Sequence, residues 1–348
     1  MCILAFEPSS HVKNKKLSLN DIAAQLGVSR TTISFVLNGK AKEHRVSDKV
    51  VRKIQKFVKE TGYQPNAVAR SLRTGKTHSI GLMIEDISNP FFATIARLIE
   101  DKAYPSGYKI IYCSTDNDPK KAAELIQMFE DRGVDGYIIA APEGMEKELK
   151  ALLKKGRPVV LFDRYFPSVD TDYVIINNED STFKATRHFI QQGYKKIAFF
   201  TLSSTLPQMK ARLAGYKAAM QKNKLTTRVK EVAFDLEDKK RVSLIAQYLK
   251  EHPDTEAILF GTNYLGVNGL EAIQKVGLNI PDDLAVISFD DHVVFNLSRP
   301  SISAISQPVE QIAEEVINTL LSRLTNPNHK KKALEIQASL IIRESSKK

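Results

Sequence analysis

The stretch Leu19-Asn20-Asp21-Ile22-Ala23-Ala24-Gln25-Leu26-Gly27-Val28-Ser29-Arg30-Thr31-Thr32-Ile33-Ser34-Phe35-Val36-Leu37-Asn38 decides how this chain is read. Asp21–Leu26 and Arg30–Leu37 carry helical patterning on either side of a Gly27-Val28-Ser29 turn. A small side chain at Ala23 lets the second helix come close, Gly27 supplies the positive φ of a tight turn, and Ile33 packs the second helix back on the first. Ser29 stands where an N-cap belongs. Ser47 is expected to cap a third helix, with Val50, Val51, Ile54, Phe57 and Val58 on one face and Gly62 at its end. This is the pattern of a helix-turn-helix with a supporting third helix.

Charge points the same way. Residues 1–78 hold fifteen Lys/Arg against five Asp/Glu, which accounts for ten of the +11 carried by all 348 residues. A concentrated positive segment attracts a polyanion, and nucleic acid is the commonest one. The competing account is a solvated charged tail.

From Ser79 onward the regime changes. Short apolar runs (Ile80–Ile84, Lys109–Cys113, Gly136–Ala140, Val159–Phe162, Ile197–Thr201, Ala257–Phe260, Leu284–Phe289) alternate with amphipathic stretches such as Pro90–Ala103, Ser181–Gln192 and Leu265–Val276. That alternation predicts parallel sheets with helices on both faces. About four units fall on each side of Tyr173, so two doubly wound lobes are expected. The late segments Ile302–Ile305 and Leu334–Ile342, which flank a helix over Val309–Leu324, are candidates to cross back between the lobes. The expected division is a loose tail (1–16), a headpiece (17–62), a hinge helix and linker (63–77), a sensor (78–343) and a short tail (344–348). Within the sensor, one lobe takes about 78–175 with 307–338, and the other about 176–306 with 339–343.

Several motifs, in order, resemble the lac-repressor (LacI/GalR) family of regulators: the quoted stretch, Val46-Ser47-Asp48, Gly62-Tyr63-Gln64-Pro65-Asn66 and Ala67-Val68-Ala69-Arg70-Ser71-Leu72. The similarity then runs to about residue 343. It implies a helix-turn-helix headpiece, a hinge helix and a sensor of periplasmic-binding-protein type. It further implies that the second helix enters the major groove, with Arg30, Thr31 and Phe35 at base-reading positions. Phe35 departs from the arginine common there, and either presses on a thymine methyl or simply packs. Ser29, Thr32, Ser34 and Asn38 are expected to meet phosphates. Residues 67–73 make about two helical turns, too short to be stable alone. The resemblance implies that two such helices pair in the minor groove of a pseudo-palindromic operator, Leu72 wedging between base pairs while Arg70 and Arg73 meet phosphates. An ordinary buried leucine is the other account of Leu72.

Asn89-Pro90-Phe91-Phe92 follows the first sensor strand, at the strand end where two-lobed folds bind ligands. Asp163, Arg212 and Asp290 also match effector-contacting positions of the family. Core packing for Phe91 and Phe92, a helix cap for Asp290 and a surface arginine for Arg212 are the alternatives. Thr262-Asn263 stands where relatives usually carry Asn-Asp, so the pocket is expected to be less anionic, with room for an acidic or phosphorylated sugar.

No dinucleotide-binding glycine fingerprint, phosphate-binding loop or nucleophile elbow occurs, and the seven histidines show no metal spacing. No catalysis, cofactor or metal is therefore expected. Cys2 and Cys113 form no disulfide framework, and no signal peptide or membrane span is evident, so the expected home is the cytoplasm. The expected protein is a homodimeric repressor controlled by a sugar or sugar derivative. A partner protein such as a phosphocarrier in place of the small effector is the alternative; a solute-binding module or an enzyme ranks lower.

Overall fold

The computed structural model describes residues 17–63, 71, 74–328 and 330–348. The chain divides into two compact units, Met1–Thr77 and His78–Lys348.

The first unit is helical. Helix α1 spans Leu19–Leu26, α2 spans Arg30–Leu37 and α3 spans Asp48–Thr61. Helix α1 begins two residues before the position read from sequence, because Ser18 and Asp21 form a reciprocal capping box: Asp21 N donates to Ser18 Oγ (3.2 Å) and Ser18 N donates to Asp21 Oδ2 (2.8 Å). Gly27 closes α1 at φ +62, a conformation in which a Cβ is strained. Ser29 caps α2 as expected, accepting from Thr32 N at 3.0 Å. Ser47 occupies the cap position of α3, but its side chain makes no capping hydrogen bond. Ile22, Leu26, Ile33, Val36 and Ile54 form the core of this unit. Lys53 on α3 donates to the Leu26 carbonyl at 2.8 Å, satisfying one of the orphan acceptors at the end of α1.

The second unit holds two six-stranded sheets. In the first half of its sequence come β1 (Ser79–Ile84), α4 (Pro90–Ala103), β2 (Lys109–Ser114), α5 (Pro119–Asp131), β3 (Gly136–Ile139), α6 (Glu146–Lys154), β4 (Val159–Phe162) and β5 (Asp172–Ile176). The second half contains α7 (Asn178–Gln191), β6 (Ile197–Leu202), α8 (Pro207–Lys222), β7 (Arg228–Val232), α9 (Asp238–Glu251), β8 (Ala257–Phe260), α10 (Asn263–Val276), β9 (Ala285–Phe289), α11 (Val293–Leu297) and β10 (Ser303–Ser306). Helix α12 (Val309–Thr325) and strands β11 (Ala333–Ile336) and β12 (Ser339–Ile341) finish it.

The strand orders are β11-β5-β4-β3-β1-β2 and β12-β10-β9-β8-β6-β7. All pairings are parallel except β10 with β12. The sheets therefore repeat one doubly wound order, and each reverses direction of winding beside its first strand, β1 or β6. The late segment Leu334–Ile342 crosses between the sheets: β11 joins the edge of the first and β12 the edge of the second. Strands β3, β4 and β8 are buried along their whole length, as expected where helices cover both faces. One apolar cluster lies under α4 and α12 on the first sheet and under α7 and α8 on the second; separate clusters fill the opposite faces. Helices α7 and α8 approach so closely at Gly215 that an added Cβ would sit 2.1 Å from the Glu179 carbonyl oxygen.

Candidate functional site

Two regions collect the candidate residues. The first is the outer face of α2. Its cap leaves Arg30 and Thr31 exposed on the leading turn, with Asn38 exposed at the far end. Ser29 and Thr32 share a hydroxyl–hydroxyl bond of 2.9 Å, and Asn38 Nδ2 donates to the Ser34 carbonyl (2.6 Å) and hydroxyl (3.2 Å). These four side chains thus hold the ends of the helix in shape. Phe35 is half-buried and stacks flat on His44, ring centroids 3.5 Å apart and planes 9° apart. One face of Phe35 is therefore covered by a residue that nothing in the sequence singled out. Arg70, Leu72 and Arg73 lie outside the described residues.

The second region lies where strands of the two sheets end. Glu85 follows β1, Asp163 follows β4, Thr262 and Asn263 follow β8, and Asp290 follows β9. Together with Asn89, Phe91, Phe92, Asn117, Glu143, Arg164, Gln208, Arg212, Tyr264 and Gln307, they line one cavity of about 190 Å³. All eight expected effector positions reach it.

On the first sheet's side, Arg164 is buried and held by three bonds of 2.8 Å, to Glu85 Oε2, Asp163 Oδ2 and Asn117 Oδ1. Burial alone would depress its pKa, but the two carboxylates reverse that and raise it, so it stays charged. On the second sheet's side, Arg212 is also buried, which overturns the surface-arginine account. It donates to Asn178 Oδ1 and to the Gly261 carbonyl, each at 2.8 Å, and lies 3.5 Å over the Phe289 ring. Asp290 accepts from Gln307 Nε2 at 2.6 Å. It caps no helix, because His292 does that for α11. Burial pushes the Asp290 carboxyl upward, against the opposing pull of Arg212 and Gln307.

Asn89 caps α4 through Phe91 N (3.1 Å) and also accepts from Asn263 Nδ2 (3.0 Å), a direct bond between the two sheets' loops. Thr262 caps α10, accepting from Leu265 N at 3.3 Å. Phe91 and Phe92 belong to the apolar core, as the packing account has it, and also line the cavity. Four carboxylates line the cavity, Glu85, Glu143, Asp163 and Asp290, against the two guanidiniums of Arg164 and Arg212. Glu85 and Glu143 were not singled out in the sequence. Glu85 was legible in principle, since it directly follows an apolar strand; Gln208, Tyr264 and Gln307 carried no local signal.

A family profile described as bacterial regulatory proteins, lacI family, matches residues 18–66, and a periplasmic binding protein-like domain matches residues 186–346. The ribose operon repressor of Haemophilus influenzae is 30% identical over 332 residues, covering 94% of this chain and 98% of that protein. The chain belongs to the LacI family. The PurR transcriptional repressor of Photobacterium profundum is 29% identical over 333 residues, covering 95% of this chain and 98% of that one. Among solved structures, the lac repressor dimer bound to operator and the anti-inducer ONPF superposes with a TM-score of 0.84 at 21% identity, covering 96% of this chain and all of that one. As a LacI-family member, the protein is a DNA-binding transcriptional regulator with a two-lobed sensor. No helix among the described residues is long and apolar enough to cross a membrane, and no cluster of three or more metal-ligating side chains occurs among them.

Proposed function

We propose that this regulator is a cytoplasmic homodimeric repressor whose hold on a two-fold operator is set by a small, sugar-like effector bound between the sheets. The observation that carries this reading is the convergence of Asp163 and Asp290, each at the end of a strand in a different sheet, on one cavity with Arg212. A ligand touching both sheets changes the balance between their arrangements only through its different affinity for each. The aromatic pair Phe91 and Phe92 offers apolar contact, and the buried amides, carboxylates and guanidiniums offer hydroxyl partners. On the DNA side, Arg30 and Thr31 read base edges, while Phe35, backed by His44, offers its free face to an apolar base group. Leu72 acts as the minor-groove wedge, flanked by phosphate contacts from Arg70 and Arg73, by resemblance to the family. The protein performs no turnover.

Selection of bound duplexes from a random pool tests the reading. It should yield a pseudo-palindrome, and Arg30→Ala should relax preference at one position per half-site at a cost of about 1–3 kcal/mol. Leu72→Gly should abolish DNA bending and weaken specific binding. A pool with no two-fold consensus, or Leu72→Gly with unaltered bending and affinity, overturns it.

A further inference from the structure

The cavity between the sheets is unbalanced in charge and in hydrogen-bond acceptors. Three buried or nearly buried carboxylates, Glu85, Asp163 and Asp290, stand against two guanidiniums, Arg164 and Arg212. Arg164 alone serves both Glu85 and Asp163, so that triad keeps a surplus of one negative charge. Glu143, exposed on the cavity lining, adds another, and no lysine lines the cavity.

The acceptors tell the same story independently. Gln208 is 5% exposed, lines the cavity, and its Oε1 is buried with no hydrogen-bond donor. A buried acceptor left without a partner costs about 1–3 kcal/mol, so this wall of the cavity is already rich in acceptors. Glu85 Oε1, Asp163 Oδ1 and Asp290 Oδ2 likewise accept no hydrogen bond among the described residues. On the donor side, the Arg164 nitrogens are all engaged with Glu85, Asp163 and Asn117.

We propose, resting on the effector reading above, that the ligand is a cationic amino sugar whose protonated amine meets the acidic wall made by Glu85, Asp163 and Asp290. An ammonium brings three donors and the missing positive charge to the same place. A sugar acid or sugar phosphate would carry negative charge into a region already in surplus, which like-charge repulsion opposes. A neutral sugar supplies donors but leaves the excess charge uncompensated.

Calorimetry on the full-length protein tests this with glucosamine, galactosamine and mannosamine, their neutral parent hexoses, their N-acetyl forms and their 6-phosphates. At least one free amine should bind about tenfold or more tighter than its own parent and N-acetyl form, and weaken as pH rises through the amine's pKa. Glu85→Gln should abolish that preference, so that in the variant the free amine and its neutral parent bind within about twofold of each other. If Glu85→Gln does not fold, Glu143→Gln, at an exposed position, should reduce the preference in the same direction. Equal or tighter binding of N-acetyl, neutral or phosphorylated forms overturns the amine assignment and leaves the effector reading standing. Binding of no member of the panel, with thermal stability in every sugar unchanged by Arg212→Ala, overturns both.

Discussion

At the residue scale, two aspartates are distinctive in backbone as well as in charge. Asp163 has φ +65 and Asp290 has φ +62, left-handed conformations that non-glycine residues rarely adopt. Each stands just beyond a buried strand and turns the chain into the cavity lining. Asp290→Ala should lose effector binding by about tenfold or more in calorimetry, because a buried charged partner is removed. Asp290→Gly should lose as much binding yet melt at a higher temperature than Asp290→Ala, since glycine carries no penalty at this φ. Equal melting temperatures for the two would count against strain at this position. A second residue reports pH. His188 is packed against the docked C-terminal turn, its Nε2 3.1 Å from the Ser346 carbonyl and 3.0 Å from the Ser346 hydroxyl. Burial holds its pKa below the ordinary value of 6.5, against a smaller opposing pull from Ser346. The unfolded chain therefore binds the proton more readily, so stability is complete above about pH 6.5 and declines as pH falls through that value toward the folded pKa. Urea titrations from pH 7.5 to 5 should show this decline, and His188→Gln should flatten it. These effects were not legible in sequence: His188 carries no local pattern, and its partner lies 158 residues away.

At the scale of elements, the sequence was most informative where a local rule acts alone. The turn at Gly27, the cap at Ser29 and the end of α3 at Gly62 follow from single-residue chemistry, and all three are where they were expected. Errors came where a distant partner decides. Strand β5 begins at an aspartate, Asp172, which Arg323 on α12 neutralises at 2.9 and 3.0 Å, so its start looks polar until α12 is in place. Strand β7 reads Arg228-Val229-Lys230-Glu231-Val232 and sits at a sheet edge, where charged side chains are tolerated and the apolar signal is weak. Contact between α7 and α8 gives a direct test. In Gly215→Ala the added methyl meets backbone at Glu179, which cannot rotate away. The variant should lose about 1–3 kcal/mol or more of unfolding free energy. Stability within about 0.5 kcal/mol of the parent, an ordinary surface effect, would show that the two helices are not so closely packed.

At the scale of the whole molecule, charge separates two functions. Nearly all of the net positive charge lies in residues 1–78, whereas the cavity between the sheets is lined by more acids than bases. Operator affinity should fall by about 10³–10⁵ between 50 and 200 mM salt if six to ten phosphates are neutralised. Effector affinity should move by less than about threefold over the same range, since buried pairs are poorly screened. A shallow salt slope for DNA, measured by fluorescence anisotropy, would place the basic segment away from the duplex. The two-lobed architecture was readable from alternation alone, and so was the placing of Asp163 and Asp290 at strand ends. Which acids and amides complete the cavity was not, because that depends on how strands far apart in the chain come together. The threading of the last strands also bears on synthesis. Sheet one needs β11 at its edge and α12 on its face, and sheet two needs β12, so neither is finished until the ribosome has made almost the entire polypeptide. The three-helix unit, closed within residues 17–63, has all its core residues far earlier. A chain cut short by premature termination therefore releases a folded DNA reader with no finished regulatory half to govern it.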